Sequence, residues 1–329
     1  MEGDDVAYLE AARTVDDRAH SDAATAAFRS ALVGGDRGTD RRHEGDHGGH
    51  DDHGDRGVRV LEAGAGTCGV LRRLVADGAL PLGEWVAVDT DERALAAGRA
   101  RLCEEAAEAG YAVDSTAVSE GGETAGGTGV RIGHRDRDAA LRVRFRVDDA
   151  RAVAEDGSEE PFDGVVARSF ADLLAPEDVL ALLRSAAPEG WYHLPLTFDG
   201  ETRFAPDHPA DDAVIDAFHG TMRNRGRAAT LLVERLRAAG SPPAVDARAD
   251  WVVAGDVAGE GASEEGDGYP ADEATFLETV LDTVVASVRE SGAVADATLS
   301  EWAETRRTQL ERGTLEYEAV NRDLFGRVP

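Results

Sequence analysis

The sequence predicts an α/β protein with a doubly wound, mostly parallel sheet. Three observations lead to this prediction. Short apolar runs typical of strands alternate with helical patterns from Val58 onward. The first run, Val58–Glu62, leads into a glycine-rich turn, GAGTCG over 64–69, and then into a helical pattern. Acidic residues directly follow the next two strand-like runs.

The chain before this alternation predicts a helical extension and a linker. Residues 1–33 form the N-terminal segment, in which apolar residues recur at helical spacing over Val6–Val33 and predict one or two helices. Residues 34–57 are polar and rich in Gly, Asp and His, which predicts a disordered linker. Its four histidines (His43, His47, His50, His53) are interleaved with acids and suit a divalent metal. Because no rigid scaffold fixes them, the linker interpretation is favoured, and no metal is expected.

Residues 58–329 form the predicted main domain. Acidic, glycine-rich insertions are expected near 115–129 and 255–268. The predicted strands are Val58–Glu62, Trp85–Asp89, Leu141–Val147, Phe162–Ala167, Trp191–Leu196, Ala249–Ala254 and Leu315–Asn321. The predicted helices are Val70–Asp77, Glu92–Gly110, Pro176–Ala187, Asp212–Met222, Ala228–Ala239, Phe276–Arg289 and Leu299–Leu310.

Charge and cysteine content restrict the partners and the compartment. The formal net charge is −30 and lysine is absent, a balance that resembles adaptation to high intracellular salt. Such a surface argues against nucleic acid or an anionic membrane as a general partner, because phosphate binding needs a basic face. Two cysteines, Cys68 and Cys103, cannot form a disulfide framework, and neither a signal peptide nor a membrane span is evident. A cytoplasmic location is therefore expected.

The glycine turn predicts a nucleotide-like cofactor at the end of the first strand. Its pattern also satisfies the dinucleotide fingerprint G-x-G-x-x-G, which alone is weak. Glu62 occupies a position that is usually apolar in dinucleotide folds, and a ligand ammonium group would explain a carboxylate there. Asp89, at the end of the second strand, is placed to accept hydrogen bonds from a ribose diol.

Together, Glu62-x-Gly64-x-Gly66, Asp89 and Asp149-Ala150 resemble the class I S-adenosylmethionine (SAM)-dependent methyltransferase family, over about Val58 to Leu196. The resemblance implies a seven-stranded Rossmann-like methyltransferase fold and SAM as cofactor. It implies that Glu62 and Gly64, Ala65 and Gly66 contact the methionine part, and that Asp89, followed by Thr90, binds the ribose. Asp149 would accept a hydrogen bond from the adenine amino group, beside the backbone N–H of Ala150. The segment 167–170, which includes Arg168, would line the methyl-transfer pocket. Because an Asn-Pro-Pro-Tyr-type sequence is missing after the fourth strand, a small-molecule acceptor is favoured.

The substrate side is predicted beyond the fourth and fifth strands, where open α/β sheets bind their ligands. His193 and Arg203 are the candidate catalytic residues: the histidine could take a proton, and the arginine could clamp an anionic group. The residues from Leu196 to Pro209 are expected to cover the substrate. Structural alternatives stand beside these roles. Glu62 could pair with an arginine, Asp89 could cap a helix, and His193 could be a core residue.

The sequence thus predicts SAM-dependent methyl transfer to a small molecule by in-line displacement at the sulfonium methyl. Two alternatives remain open at this point: an NAD(P)-dependent oxidoreductase, supported by the literal glycine pattern, and a non-catalytic cofactor-binding protein. The methyl acceptor, its reacting atom and the oligomeric state do not follow from the sequence.

Overall fold

The computed structural model describes residues 6–34, 57–115, 128–133, 140–157, 160–255 and 268–329. The helices are α1 (Val6–Arg18), α2 (Asp22–Val33), α3 (Gly69–Ala76), α4 (Glu92–Glu108), α5 (Ala150–Glu155), α6 (Pro176–Ala186), α7 (Asp211–Thr221), α8 (Ala228–Ala238), α9 (Glu273–Ser291) and α10 (Asp296–Glu311), with a 3-10 helix at Ala171–Leu173. The strands are β1 (Val58–Ala63), β2 (Gly83–Asp89), β3 (Ala112–Asp114), β4 (Thr128–Gly133), β5 (Ala140–Val147), β6 (Gly164–Val166), β7 (Trp191–Ala205), β8 (Val245–Arg248), β9 (Trp251–Val253) and β10 (Glu316–Arg327).

The strands form one sheet with a parallel centre. Its order is β3-β4-β5-β2-β1-β6-β7-β10-β8, and β9 pairs separately with β10. The five strands from β5 to β7 pair in parallel, whereas β4 and β10 run antiparallel to their neighbours. The predicted doubly wound α/β fold is therefore confirmed. The predicted strand number of seven is too low, because the described residues contain ten. The additional strands are short and lie at or near the edges.

The centre of the sheet contains a topological switch point. The chain goes from β1 to β2 on one side and later places β6 on the other side of β1. Loops that leave neighbouring strands in opposite directions open a crevice at their carboxyl ends, which is where doubly wound folds bind ligands. The glycine turn follows β1 and therefore lies at this crevice.

A second core lies beyond the parallel centre. The strands β7 and β10 pair along most of their length, from Trp191 opposite Arg327 to Ala205 opposite Glu316. Helices α1, α7, α9 and α10 form an apolar cluster with the distal part of this ribbon. The cluster includes Phe204, Phe276 and Trp302. The residues after Leu196 that were predicted to cover the substrate thus continue β7 as a strand to Ala205.

The structure also differs from several other predicted bounds. The predicted insertion at 115–129 overlaps β4, which begins at Thr128; residues 116–127 lie outside the described part. The strand predicted at Phe162–Ala167 is shorter, and the last strand continues six residues beyond Asn321 to Arg327. The predicted linker and its four histidines lie almost wholly outside the described residues, as does most of the 255–268 insertion.

The N-terminal segment forms two helices, α1 and α2, as expected. Within the described ranges, no helix is long and apolar enough to cross a membrane. The same ranges contain no group of three or more His, Cys, Asp or Glu side chains arranged to hold a metal ion.

Candidate cofactor and acceptor site

The glycine turn has a backbone that favours glycine at two positions. Gly64 and Gly66 have φ angles of 68° and 49°, in the left-handed region that a Cβ atom disfavours. The turn is held against β2 by a hydrogen bond from the Ala65 N–H to the Val88 carbonyl, at 3.0 Å. A Cβ on Gly64 would lie 2.3 Å from the ring of Phe170. The turn therefore allows the segment after β6 to approach it closely.

Glu62 is a buried carboxylate at the end of β1. Only 2% of the residue is exposed, and its Oε2 accepts a hydrogen bond of 2.7 Å from the Trp85 indole. Burial raises the pKa of Glu62 to about 7, against the lowering effects of Trp85 and the positive charge of Arg168. The alternative that Glu62 simply pairs with an arginine finds no salt bridge among the described residues. A cation bound beside Glu62 would favour its ionised form.

The two acids at or just after the end of β2, Asp89 and Asp91, bind different groups: Asp91 caps a helix, whereas Asp89 binds the glycine turn. The side chain of Asp91 caps α4 by accepting from the Arg93 N–H at 2.7 Å. The Asp89 carboxylate instead accepts from the Gly66 N–H at 2.7 Å and from the Asp91 N–H at 2.9 Å. Asp89 thus ties the glycine turn to the end of β2. Each of its oxygens retains a lone pair for a further donor.

Asp149 lies at the matching point after β5. It caps α5 by accepting from the Arg151 N–H at 2.9 Å, and it also pairs with the Arg151 guanidinium. These bonds hold the pKa of Asp149 below its ordinary value. The neighbouring Asp148 pairs with Arg146 at 3.0 Å, and its backbone N–H binds the Asp89 carbonyl. The acids at the carboxyl ends of β1, β2 and β5 therefore lie along one edge of adjacent parallel strands.

Helix α1 covers the glycine turn. A methyl group of Leu9 is 3.5 Å from the position that a Cβ on Gly66 would occupy. Two ion pairs hold the helix there: the Glu10 carboxylate binds Arg72 at 2.7 Å, and Asp16 lies 3.5 Å from Arg168. The N-terminal segment thus forms one wall of the site.

Arg168 is a largely buried cation beside the glycine turn. It follows β6 by two residues, and its guanidinium is mostly shielded from solvent. Its charge acts on Glu62 and lowers the pKa of His193, and its Nη1 is 3.3 Å from the Cβ position of Gly69. An arginine between the glycine turn and β7 can attract a carboxylate of a bound ligand, such as that of an amino acid.

Three of the five described non-glycine residues with a positive φ angle lie at the carboxyl ends of the central strands. Cys68 follows β1 and has a φ angle of 59°, and Ser169 follows β6 and has a φ angle of 49°. Leu196 lies within β7, where this strand leaves the parallel centre, and has a φ angle of 56°. Non-glycine residues rarely adopt such angles, and strain of this kind clusters at functional sites. The observation supports a functional site at this edge of the sheet.

Buried polar atoms without a hydrogen-bond partner lie beside the strained residues. They include Ser169 Oγ, Asp172 Oδ1 and both ring nitrogens of His193. An unsatisfied buried polar group costs about 1–3 kcal/mol, so such groups are uncommon unless a ligand or water completes them. Sequence reasoning identified Ser169 and His193 but not Asp172, which lies in the short 3-10 helix after β6.

His193 lies inside the sheet at a small cavity. The cavity of about 80 Å³ lies among α2, α3 and β7, and Phe28, Arg168, His193 and Asp323 contribute to its lining. The imidazole packs on Phe28 with ring centroids 4.4 Å apart. Burial, with a smaller effect from Arg168, lowers the pKa of His193 to about 3. The imidazole is therefore neutral near pH 7 and is a weak proton acceptor.

Arg203 lies on the distal part of β7, away from the central crevice. Its side chain is 72% exposed and pairs with Glu201 on the same strand at 3.5 Å. It lies beyond the carboxyl end of the parallel centre, on the predicted side of the sheet. Nothing in the described residues brings it against the glycine turn.

Comparison with solved structures finds methyltransferases among the resembling folds. One is a complex between the Haloferax volcanii Trm112 methyltransferase activator and the putative methyltransferase (14% identity, 98% of this chain and 95% of that chain covered, TM-score 0.38). Another is the mycolic acid cyclopropane synthase CmaA1 complexed with SAH and CTAB (9%, 83% and 79%, 0.36). A third is magnesium protoporphyrin IX methyltransferase from Synechocystis PCC 6803 with bound SAH (17%, 59% and 68%, 0.33).

Each of these likenesses is distant in sequence, at 9–17% identity. No protein-family model matches the chain. No curated protein matches it either.

Proposed function

We propose that the chain is a SAM-dependent methyltransferase that acts on a small-molecule acceptor. The observation that carries this proposal is the placement of Glu62, Asp89 and Asp149 at the carboxyl ends of three adjacent parallel strands, beside a left-handed glycine turn. Three anionic groups in this order suit a ligand with an ammonium, a ribose diol and an adenine amino group. SAM carries all three.

The residues present fit such a cofactor. A Cβ on Gly66 would meet only the Leu9 side chain, at 3.5 Å, and the left-handed backbone of this glycine suits a turn that a ligand approaches closely. In the proposed arrangement, Glu62 faces the ammonium and Arg168 the carboxylate of the methionine part. Asp89 accepts from the ribose hydroxyls with its remaining lone pairs. Asp149 is the candidate for the adenine amino group.

The chemistry needs alignment more than proton transfer. When bound, SAM supplies a methyl group already activated by the sulfonium charge. The chain's residues then have to orient the acceptor in line with the methyl–sulfur bond and exclude water. Helix α1 can exclude water, because it covers the turn and is held by ion pairs at Glu10 and Asp16.

The proposed acceptor side contains the two residues that were predicted to be catalytic. His193 and Arg203 remain candidate acceptor-side residues. Burial makes the neutral imidazole of His193 better suited to hydrogen bonding than to taking a proton. Arg203 could reach only an acceptor large enough to extend along the distal part of β7.

An NAD(P)-dependent oxidoreductase is the second candidate, supported by the literal G-x-G-x-x-G pattern at 64–69. The buried carboxylate of Glu62 disfavours it, because a pyrophosphate close to the first glycine would be repelled by an ionised Glu62. Calorimetric titrations with SAM, SAH and NADH separate the two. Binding of NADH without binding of either S-adenosyl compound would refute the methyltransferase proposal.

A further inference from the structure

Asp172 is a carboxylate for which the cofactor proposal has no use. It lies two residues after Phe170, whose ring packs directly on Gly64 of the turn. Its Oδ1 is buried and has no hydrogen-bond partner among the described residues. No arginine of those residues forms a salt bridge with it, although arginines pair with many other carboxylates of the chain. An anionic oxygen left in this way beside a ligand crevice suits a donor supplied by a ligand.

The surrounding structure holds Asp172 in place. The side-chain amide of Asn224 donates to the backbone carbonyls of Asp172 and Leu174, at 3.2 and 2.9 Å. The left-handed backbone of Ser169 directs the chain into this 3-10 helix, and Ser169 Oγ is a second buried atom without a partner. Preorganisation by neighbouring bonds is typical of groups that act on a substrate.

We propose, on the basis of the methyltransferase function above, that Asp172 is the acceptor-side base and that the acceptor's nucleophile carries an O–H or N–H. The lone pair of the acceptor oxygen or nitrogen forms the new bond to the methyl carbon. The carbon–sulfur bond breaks, and its electron pair stays on sulfur. The proton of the nucleophile passes to Asp172 Oδ1 and then to solvent. A sulfonium and a carboxylate thus become a thioether and a carboxylic acid, so charge balances.

The electrostatic surroundings suit this task. Burial raises the pKa of Asp172 to about 6, so that the group is mostly ionised at pH 7 yet basic enough to take a proton. Burial is the main cause of the raised pKa of the Tyr8 phenol on α1, and the nearby charge of Asp172 adds a smaller contribution. Three elements pack against the 3-10 helix that carries Asp172, namely β7, α6 and α8. Their titratable side chains are Tyr192, His193, Asp199, Glu201 and Arg203 of β7, Glu177, Asp178 and Arg184 of α6, and Glu234, Arg235 and Arg237 of α8. Of these, Glu177 and Arg235 form an exposed pair with each other.

The experiment uses two matched pairs of probes on the full chain saturated with SAH. Phenol and butylamine carry a transferable hydrogen, whereas anisole and butyltrimethylammonium do not. We expect the wild type to bind phenol or butylamine at least tenfold more tightly than the matched methylated probe. Asp172→Asn removes most of this preference and keeps the SAH dissociation constant within twofold. Glu177→Gln, an exposed control in the same region, leaves both quantities unchanged.

The pH dependence distinguishes a base from a merely structural residue. In the wild type, the preference for phenol over anisole should fall toward one as the pH drops through about 6, because Asp172 becomes protonated. In Asp172→Asn it should not change with pH. Thermal melting verifies that the variant is folded, and Asp172→Glu serves as a second variant that keeps the charge.

The assignment of Asp172 and the methyltransferase proposal fail by different results. Failure of SAH to bind at all would contradict the methyltransferase proposal. Binding of SAH with neither hydrogen-carrying probe preferred, or with a preference that Asp172→Asn retains, would overturn the assignment of Asp172 alone.

Discussion

Replacing Asp89 with alanine is the most informative single substitution in the cofactor site. The carboxylate ties the Gly66 and Asp91 N–H groups, at 2.7 and 2.9 Å, and in the proposal it also accepts from the ribose diol. Hydrogen bonds to a charged acceptor contribute about 1.5–3 kcal/mol each, and part of that gain replaces bonds to water. We therefore expect SAH binding to weaken by about 1.5–3 kcal/mol, or roughly 10- to 150-fold in the dissociation constant.

Isothermal titration calorimetry measures this change, and Asp91→Ala provides the control. That variant loses the cap of α4, bonded to the Arg93 N–H, and should lose about 0.5–2 kcal/mol of stability while its SAH affinity stays within threefold. Asp89→Asn separates charge from shape, since the amide can keep one of the two backbone bonds. A loss of less than ~0.3 kcal/mol in Asp89→Ala would refute the ribose assignment.

Three further predictions follow from the burial and charge of the site. Binding of SAH near pH 6 should release protons, because an ammonium beside Glu62 lowers a pKa that stands at about 7; a calorimetric enthalpy that does not depend on the ionisation enthalpy of the buffer would contradict this. The stability of Glu62→Gln should rise relative to that of the wild type as the pH increases from 4.5 through about 7, because the raised pKa means that folding favours protonated Glu62. Equal stability differences at pH 5 and pH 8 in urea unfolding would exclude this effect. The melting temperature should rise steeply from dilute buffer to molar KCl, because a chain at −30 repels itself where the Debye length is about 30 Å; a flat salt dependence would contradict the halophilic interpretation.

The sequence predicted the centre of the fold well because its signals are local there. Strand β1, the turn and α3 lie within one residue of their predicted bounds, since an apolar run, two obligatory glycines and a helical period specify them together. The strands β4 and β8 were missed because β8, VDAR, has little apolar character, and β4, TGVRIG, begins inside a glycine- and threonine-rich stretch. The distal part of β7 was misinterpreted because DGETRFA contains turn-forming residues, whereas pairing with β10 keeps it extended.

The candidate site likewise has features that the sequence predicts and features that it does not. The acids at 62, 89 and 149 lie at the ends of strands and could be predicted from position alone. The partner of each acid could not, because Trp85 reaches Glu62 and Gly66 reaches Asp89 only through sheet register and the path of the turn. Asp172 was missed because this residue, one of three acids in ADLLAPED, carries no sequence signal of its own. The burial of its Oδ1 and the lack of a hydrogen-bond partner arise from tertiary packing.

The most direct test of the central claim is a calorimetric titration of the full chain with SAH in molar KCl, beside an identical titration with NADH. We expect one SAH site per chain, with a dissociation constant in the micromolar range or tighter, and no binding of NADH. Binding of NADH alone, or of neither compound by a folded protein, would contradict it.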